Sequence, residues 1–207
     1  LYTQAIAPQE IVGLAIGTRP DCLGPEVLQL LEQIHAVKPV SVELGLQTIH
    51  PASIQYIRRG YDNWYYYEAV KQLKTRGIEV VTHIILGLPG ETAQMMVQTT
   101  RAAVDAGTDG VKFHLLHVLK GTALCGIYER GEYAPISRED YVNIVCDQLE
   151  LFPPEAVIER VTGDGARDSL LAPLWSLKKV AVINDIDKEM YRRGSYQGIK
   201  CKAFDKI

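Results

Sequence analysis

The sequence has no cysteine pair at metal or redox spacing. Its four cysteines are Cys22, Cys125, Cys146 and Cys201, and none lies within three residues of another. That excludes a CxxC site and a local disulfide framework. Free thiols in a reducing compartment are expected, so the chain reads as cytoplasmic, with no metal ligands of its own. A basic excess is also missing. The net charge is −3, which argues against a general nucleic-acid surface. No run reaches the roughly 18 apolar residues of a membrane span, and no signal peptide is visible. No linker or low-complexity stretch divides the 207 residues, so a single domain over 1–207 is expected. The repeats are unequal in length, which excludes a solenoid. The chain opens on Leu1 without a methionine. Leu1–Ala7 read as the tail of a helix already under way, so a truncated polypeptide is expected.

Hydrophobic residues make up 47% of the chain, enough to fill a core. Strand-length apolar runs alternate with segments of helical period. Glu10–Gly17, Pro39–Gln47, Glu79–Leu88, Asp109–Val118 and Ala156–Val161 read as strands. Pro25–Ala36, Pro51–Arg58, Asn63–Arg76, Thr92–Ala106, Arg138–Phe152 and Trp175–Arg193 read as helices. Pro25 suits a first helical turn, Gly77 a C′ cap, and Ser137 with Asp140 a capping box. Strand–helix alternation predicts right-handed crossovers and a parallel sheet. Five strands are too few for a closed (βα)8 barrel. The expected class is therefore α/β, a partial TIM-like barrel with core repeats over about 10–162 and a helical extension over 163–207.

Residues two apart on a strand share a face. Glu43, Gly45 and Gln47 therefore point one way, and Val42, Leu44 and Leu46 the other. Val81, His83, Ile85 and Gly87 share a face, as do Lys112 and His114, and Arg160 and Thr162. Polar groups thus recur on what reads as the face away from the helices. A packed barrel interior is normally Val, Ile and Leu, and an unpaired buried charge is costly. A cavity for a polar ligand is expected, with Glu43 and Lys112 as a candidate internal pair. Three strands end in turn-rich loops, Gly17-Thr18-Arg19-Pro20-Asp21, Gly45-Leu46-Gln47-Thr48 and Gly87-Leu88-Pro89-Gly90-Glu91-Thr92. Parallel α/β folds bind ligands at that edge.

In order, these stretches resemble the later strands of a radical S-adenosylmethionine (radical SAM) enzyme. His83-Ile84-Ile85-Leu86-Gly87-Leu88-Pro89-Gly90-Glu91-Thr92 resembles the superfamily's fifth strand, and Val42–Thr48 its fourth. The Lys112-x-His114-x-x-His117 stretch and Leu171-Ala172-Pro173-Leu174-Trp175 are similar to a bacterial Fe–S oxidoreductase-like family. That family is related to the elongator catalytic subunit and oxygen-independent coproporphyrinogen oxidase branches. The resemblance implies that Thr18, Arg19, Glu43, Gln47, Ile85, Gly87 and Leu88 contact S-adenosylmethionine, the last three through backbone. It makes His83, Lys112, His114 and His117 substrate-side candidates. His114 and His117 face opposite ways and do not form a shared metal site.

The superfamily's CxxxCxxC loop, which holds a [4Fe–4S] cluster, is absent from this sequence. Cluster ligation needs thiolates, so the cluster is expected only in a longer parent protein. There, the resemblance implies cleavage of S-adenosylmethionine to a 5′-deoxyadenosyl radical that abstracts hydrogen, with electrons from a flavodoxin- or ferredoxin-type donor. Two other classes stay open. One is a metal-independent barrel enzyme using Lys112, which needs an amine titrating well below ~10.4. The other is a non-catalytic nucleoside-binding module. Glu10–Gly17 carries Ile11, Val12, Leu14 and Ile16 and little charge, so a homo-oligomer through this edge is expected.

Overall fold

The computed structural model describes residues 2–163, 165 and 167–201. Leu1 of the N-terminal stretch and 202–207 of the C-terminal extension lie outside the described residues. Helix α1 (Tyr2–Ala5) precedes strand β1 (Leu14–Thr18). Then follow α2 (Pro25–His35), β2 (Val40–Gln47), α3 (Pro51–Tyr56), α4 (Asn63–Lys74) and β3 (Glu79–Leu86). Next come α5 (Ala93–Asp105), β4 (Gly110–Leu115), β5 (Val118–Leu119), α6 (Ala123–Glu129) and α7 (Arg138–Leu149). The chain closes with β6 (Val157–Arg160), β7 (Leu170–Ala172) and α8 (Lys179–Arg192). Five strands form one parallel sheet in the order β1-β2-β3-β4-β6, an open arc of a barrel.

Strand alternation decides which face is covered. Val40, Val42, Leu44 and Leu46 are buried, as are Val80, Ile84 and Leu86, and Val111, Phe113 and Leu115. They meet Leu28, Leu31 and Ile34 of α2, Tyr66, Val70 and Leu73 of α4, Met96 and Val104 of α5, and Tyr141 and Val145 of α7. Caps place the helix ends. Thr92 Oγ1 accepts the Met95 amide at 3.3 Å. Ser137 Oγ accepts the Asp140 amide at 3.0 Å and donates to Asp140 Oδ2 at 2.7 Å. Gly77, at φ 71°, takes the left-handed turn after α4.

Several boundaries differ from the sequence reading. β1 begins at Leu14, because its partner strand begins at Val40 behind Pro39, which has no N–H to continue the ladder. The stretch 109–118 is two strands. β4 stops at Leu115, and Val118–Leu119 turns away to pair antiparallel with β7. α6, β5 and β7 are too short for a periodic signal. Trp175 sits in a 3-10 turn over Leu174–Leu177, so the last helix starts at Lys179. The polar tail is docked. Gln197 Nε2 donates to the Pro153 and Ala156 carbonyls at 2.8 Å. Ser195 Oγ donates to buried Glu150 at 2.7 Å, and Arg193 pairs with Asp147 at 2.6 Å.

One polar chain lies inside the helix-covered layer. Thr108 Oγ1 lies 2.9 Å from both the Val80 and Gly110 carbonyls, which share its one proton, and Thr82 Oγ1 donates to Thr108 at 2.8 Å. Tyr66 Oη must therefore be the donor in its 2.7 Å contact with Thr82. Burial raises the Tyr66 pKa, which keeps that proton in place. Tyr66→Phe should cost about 1 kcal/mol and Thr108→Val, which takes away the acceptor of the buried Thr82 hydroxyl proton, about 1–3 kcal/mol. Denaturant unfolding of the two variants checks the order.

Candidate functional site

The face of the sheet left bare by the helices carries a continuous hydrogen-bonded row. It runs across four strands. Glu43 on β2 accepts from His83 Nε2 on β3 at 2.8 Å and from Lys112 Nζ on β4 at 2.6 Å. Lys112 also reaches Glu159 Oε2 on β6 at 3.0 Å. His114 Nε2 lies 3.2 Å from His83 Nδ1, with the two rings 4.9 Å apart. The row closes when each histidine carries a proton on Nε2, His83 donating to Glu43 and His114 to His83.

The charges tune one another. Burial pushes Glu43 up, but hydrogen bonds from Lys112 and His83 outweigh it and hold the carboxyl below its usual range. Burial pulls Lys112 down, and bonds to Glu43 and Glu159 more than reverse this, leaving the ammonium above its ordinary value. A Schiff-base or acid/base role for Lys112 is therefore not supported, because two carboxylates fix the proton on it. His114 is driven down to about 4 by burial and by the positive fields of His83, Arg160 and Lys112. It is neutral at neutral pH.

Glu159 was missed by the sequence reading. The register slips between Val111 and Lys112, so Lys112 lies opposite Arg160 with Glu159 as the extra residue. A slip of this kind lets successive residues serve one face, and simple alternation does not reveal it. Small residues floor the rest of the face. Gly17 lies beside Glu43 in the β1–β2 register, and a Cβ there would meet nothing within 4 Å.

The rim at the end of β2 is irregular. The β2–β3 register skips a residue between Gly45 and Gln47, and Gln47 adopts φ 63°. A non-glycine residue there costs roughly 1–3 kcal/mol. The Gln47 amide folds over Gly45, where an added Cβ would come within 2.7 Å of Nε2 and 3.0 Å of Tyr61 Oη. Gln47 Oε1 is buried and has no hydrogen-bond partner among the described residues. Tyr61 Oη donates to the Gly45 carbonyl at 2.6 Å. Buried Arg59 donates to the carbonyls of Leu46 at 2.8 Å, Thr48 at 2.9 Å and Tyr61 at 2.8 and 3.0 Å, and to Asn63 Oδ1 at 2.9 Å. Thr18 ends β1 opposite Leu44. Arg19 is exposed, bound to Asp21 at 2.6 Å, with its guanidinium 5.3 Å from the Tyr61 ring. Arg59 and Tyr61 gave no sequence signal, because an arginine beside a glycine reads as an ordinary surface turn.

The end of β3 is tied down. Thr48 Oγ1 donates to Glu91 at 2.5 Å. Gly87, at φ 86°, gives its amide to Met96 Sδ at 3.2 Å, and its carbonyl accepts Tyr133 Oη at 2.8 Å. Leu88 is buried and Ile85 half-buried. A separate cleft of about 510 Å³ lies on the helix side of this loop, between Gly87–Glu91, Met96, Tyr133 and Ile136. His117 lies beyond β4 against the loop of Gly163 and Gly165, where added Cβ atoms would stand 3.5 and 3.4 Å from its ring. It is not part of the His83–His114 row. Among the described residues, no group of three or more His, Cys, Asp or Glu could hold a metal ion.

Two outcomes follow from the row. Lys112→Met leaves Glu43 and Glu159 facing each other without their cation. It should cost roughly 1–3 kcal/mol, less than a fully buried pair because water reaches this face. Lys112→Arg should recover part of that in denaturant unfolding. His114 binds its proton near 6.5 when unfolded and near 4 when folded. The unfolded chain thus binds more protons between those values, so stability falls as pH drops from about 6.5 to 4. Unfolding measured across that range should show the loss, and His114→Gln should flatten it.

Known proteins share this architecture. Residues 3–103 match the family model of the radical SAM superfamily, and residues 108–192 that of the Radical_SAM C-terminal domain. "Uncharacterized protein YtqA" of Bacillus subtilis is 44% identical over 95% of this chain and 61% of its own length. "Protein YhcC" of Escherichia coli is 37% identical over 94% of this chain and 63% of its own. The chain thus spans about three fifths of these relatives. The solved structure of archaeal Methanocaldococcus infernus Elp3 with an N-terminal deletion covers 90% of this chain and 43% of its own, with TM-score 0.76 and 24% identity, a likeness of fold. With two consecutive models of one superfamily spanning almost all of a parallel partial barrel, the chain belongs to the radical SAM superfamily.

Proposed function

We propose that the bare face of the sheet binds S-adenosylmethionine and presents it to a substrate in a radical SAM enzyme. The observation that carries this reading is the β2 rim. Gln47 Oε1 is a buried acceptor with no partner among the described residues, on a side chain folded over Gly45, while Gly17 leaves open space beside Glu43, further down β2. A buried polar atom without a partner is costly, and a ligand hydroxyl or amine would relieve it. Glu43 adds a carboxylate held ionised, suited to the sulfonium and ammonium charges of the cofactor. Thr18 and Arg19 border the same rim, and the Ile85–Leu88 backbone borders the adenine side. The Gly87 amide and carbonyl are already engaged, and the Leu88 carbonyl accepts the Glu91 amide at 3.0 Å.

The cluster does not fit this chain. Cys22, Cys125, Cys146 and Cys201 stand on different elements, and Cys146 is buried with its thiol pushed up to about 11 by that burial. Thiolate ligation needs ionised, converging sulfurs, and no step is assigned through a cluster held by these residues. In a protein of the relatives' length, other residues would supply the thiolates, and a flavodoxin- or ferredoxin-type donor the electron. Bound there, S-adenosylmethionine would supply hydrogen-abstracting chemistry, while the protein would orient the reactants and exclude water. This chain's residues bind and position. Lys112 fixes Glu43, and neutral His114, donating through Nε2 to His83, turns an Nδ1 acceptor toward the space where a substrate would lie.

Calorimetry with S-adenosylhomocysteine tests the cofactor reading without a cluster. Gly17→Leu should fill the floor and weaken binding at least tenfold, about 1.4 kcal/mol, with the unfolding midpoint unchanged. Wild-type protein without measurable binding would refute the site. In the anaerobic full-length protein, formation of 5′-deoxyadenosine separates an enzyme from a binding module.

A further inference from the structure

We infer that Arg59 and Tyr61 form a clamp that holds Gln47 in its left-handed conformation and so aims Gln47 Oε1 at the ligand. This rests on the cofactor reading above and adds two positioning residues to it. Arg59 donates to the carbonyls of Leu46 and Thr48, the residues on either side of Gln47. The Leu46 carbonyl also accepts the Thr48 amide at 2.7 Å, which closes a three-residue turn with Gln47 at its centre, and Arg59 braces that turn from both sides. Nε and Nη2 anchor the guanidinium to the Tyr61 carbonyl, and Nη1, whose two N–H groups are shared among three acceptors, also reaches Asn63 Oδ1 at the start of α4. Its partners are all neutral acceptors, an arrangement that suits a planar fork and that a lysine ammonium cannot reproduce.

Tyr61 completes the clamp from the other side. Its ring lies 4.6 Å from the Arg59 guanidinium and 5.3 Å from that of Arg19. Its hydroxyl donates to the Gly45 carbonyl, at the point where the β2–β3 register slips. The slipped register and the positive φ of Gln47 are therefore bracketed by side-chain bonds at Gly45, Leu46 and Thr48. Regular β2 would send Gln47 down the ladder. The clamped rim instead turns its amide back over Gly45 and leaves Oε1 without a hydrogen-bond partner among the described residues.

Two readouts test the clamp. Backbone chemical shifts of Gln47 report its φ without any ligand. Arg59→Lys should move them toward ordinary extended values while the protein stays folded by thermal unfolding. Tyr61→Phe, which removes only the hydroxyl bond, should move them less. In calorimetry, Arg59→Lys should weaken S-adenosylhomocysteine binding about tenfold, and should add no further loss in a Gln47→Ala background. Unchanged Gln47 shifts and unchanged affinity in Arg59→Lys would overturn the clamp, as would full additivity with Gln47→Ala. If wild-type protein binds no S-adenosylhomocysteine, the cofactor reading falls, and the Gln47 shifts alone decide the clamp.

Discussion

The Glu43 carboxylate bridges His83 and Lys112, and the bare face of the sheet is organised around that bridge. Each partner comes from a different strand, so the bonds also report the registers of β2, β3 and β4. Hydrophobic burial on the opposite face supplies most of the stability, since the helices cover that side only. The bare face needs a different rule. Charges there are tolerated because every one in the row is shared, and because water still reaches them.

That rule shapes the chemistry the face can perform. Lys112, held by two carboxylates, keeps its proton and braces Glu43 electrostatically. His114 stays neutral because burial and neighbouring cations oppose a further positive charge. The result is a surface of fixed charge and fixed hydrogen-bond direction. On the cofactor-binding reading proposed above, such a surface would orient a polar ligand with little reorganisation.

The rim shows a second economy of construction. Backbone irregularity at Gly45–Gln47 is confined to one residue and braced by side chains from the next loop. Local strain persists where surrounding structure over-determines it, and such places cluster at ligand sites. The contrast with β3 is informative. There the glycine Gly87 takes the positive φ, and its backbone groups are absorbed by Met96 and Tyr133.

Period and alternation in the sequence determined the parallel sheet, its helix-covered face and the grouping of Glu43, His83, Lys112 and His114. Those features follow from local geometry, because a two-residue period fixes which side chains share a face. Tertiary structure alone decided the rest. Glu159 joins the row only because β6 slips against β4. His117, opposite His114 by alternation alone, is carried further off because β4 ends at Leu115 and the chain turns to build β5 against β7. Arg59 and Tyr61 reach the rim because the loop after α3 folds back onto the end of β2. Registers, strand ends and loop returns depend on contacts between distant segments, and no periodicity within one segment encodes them.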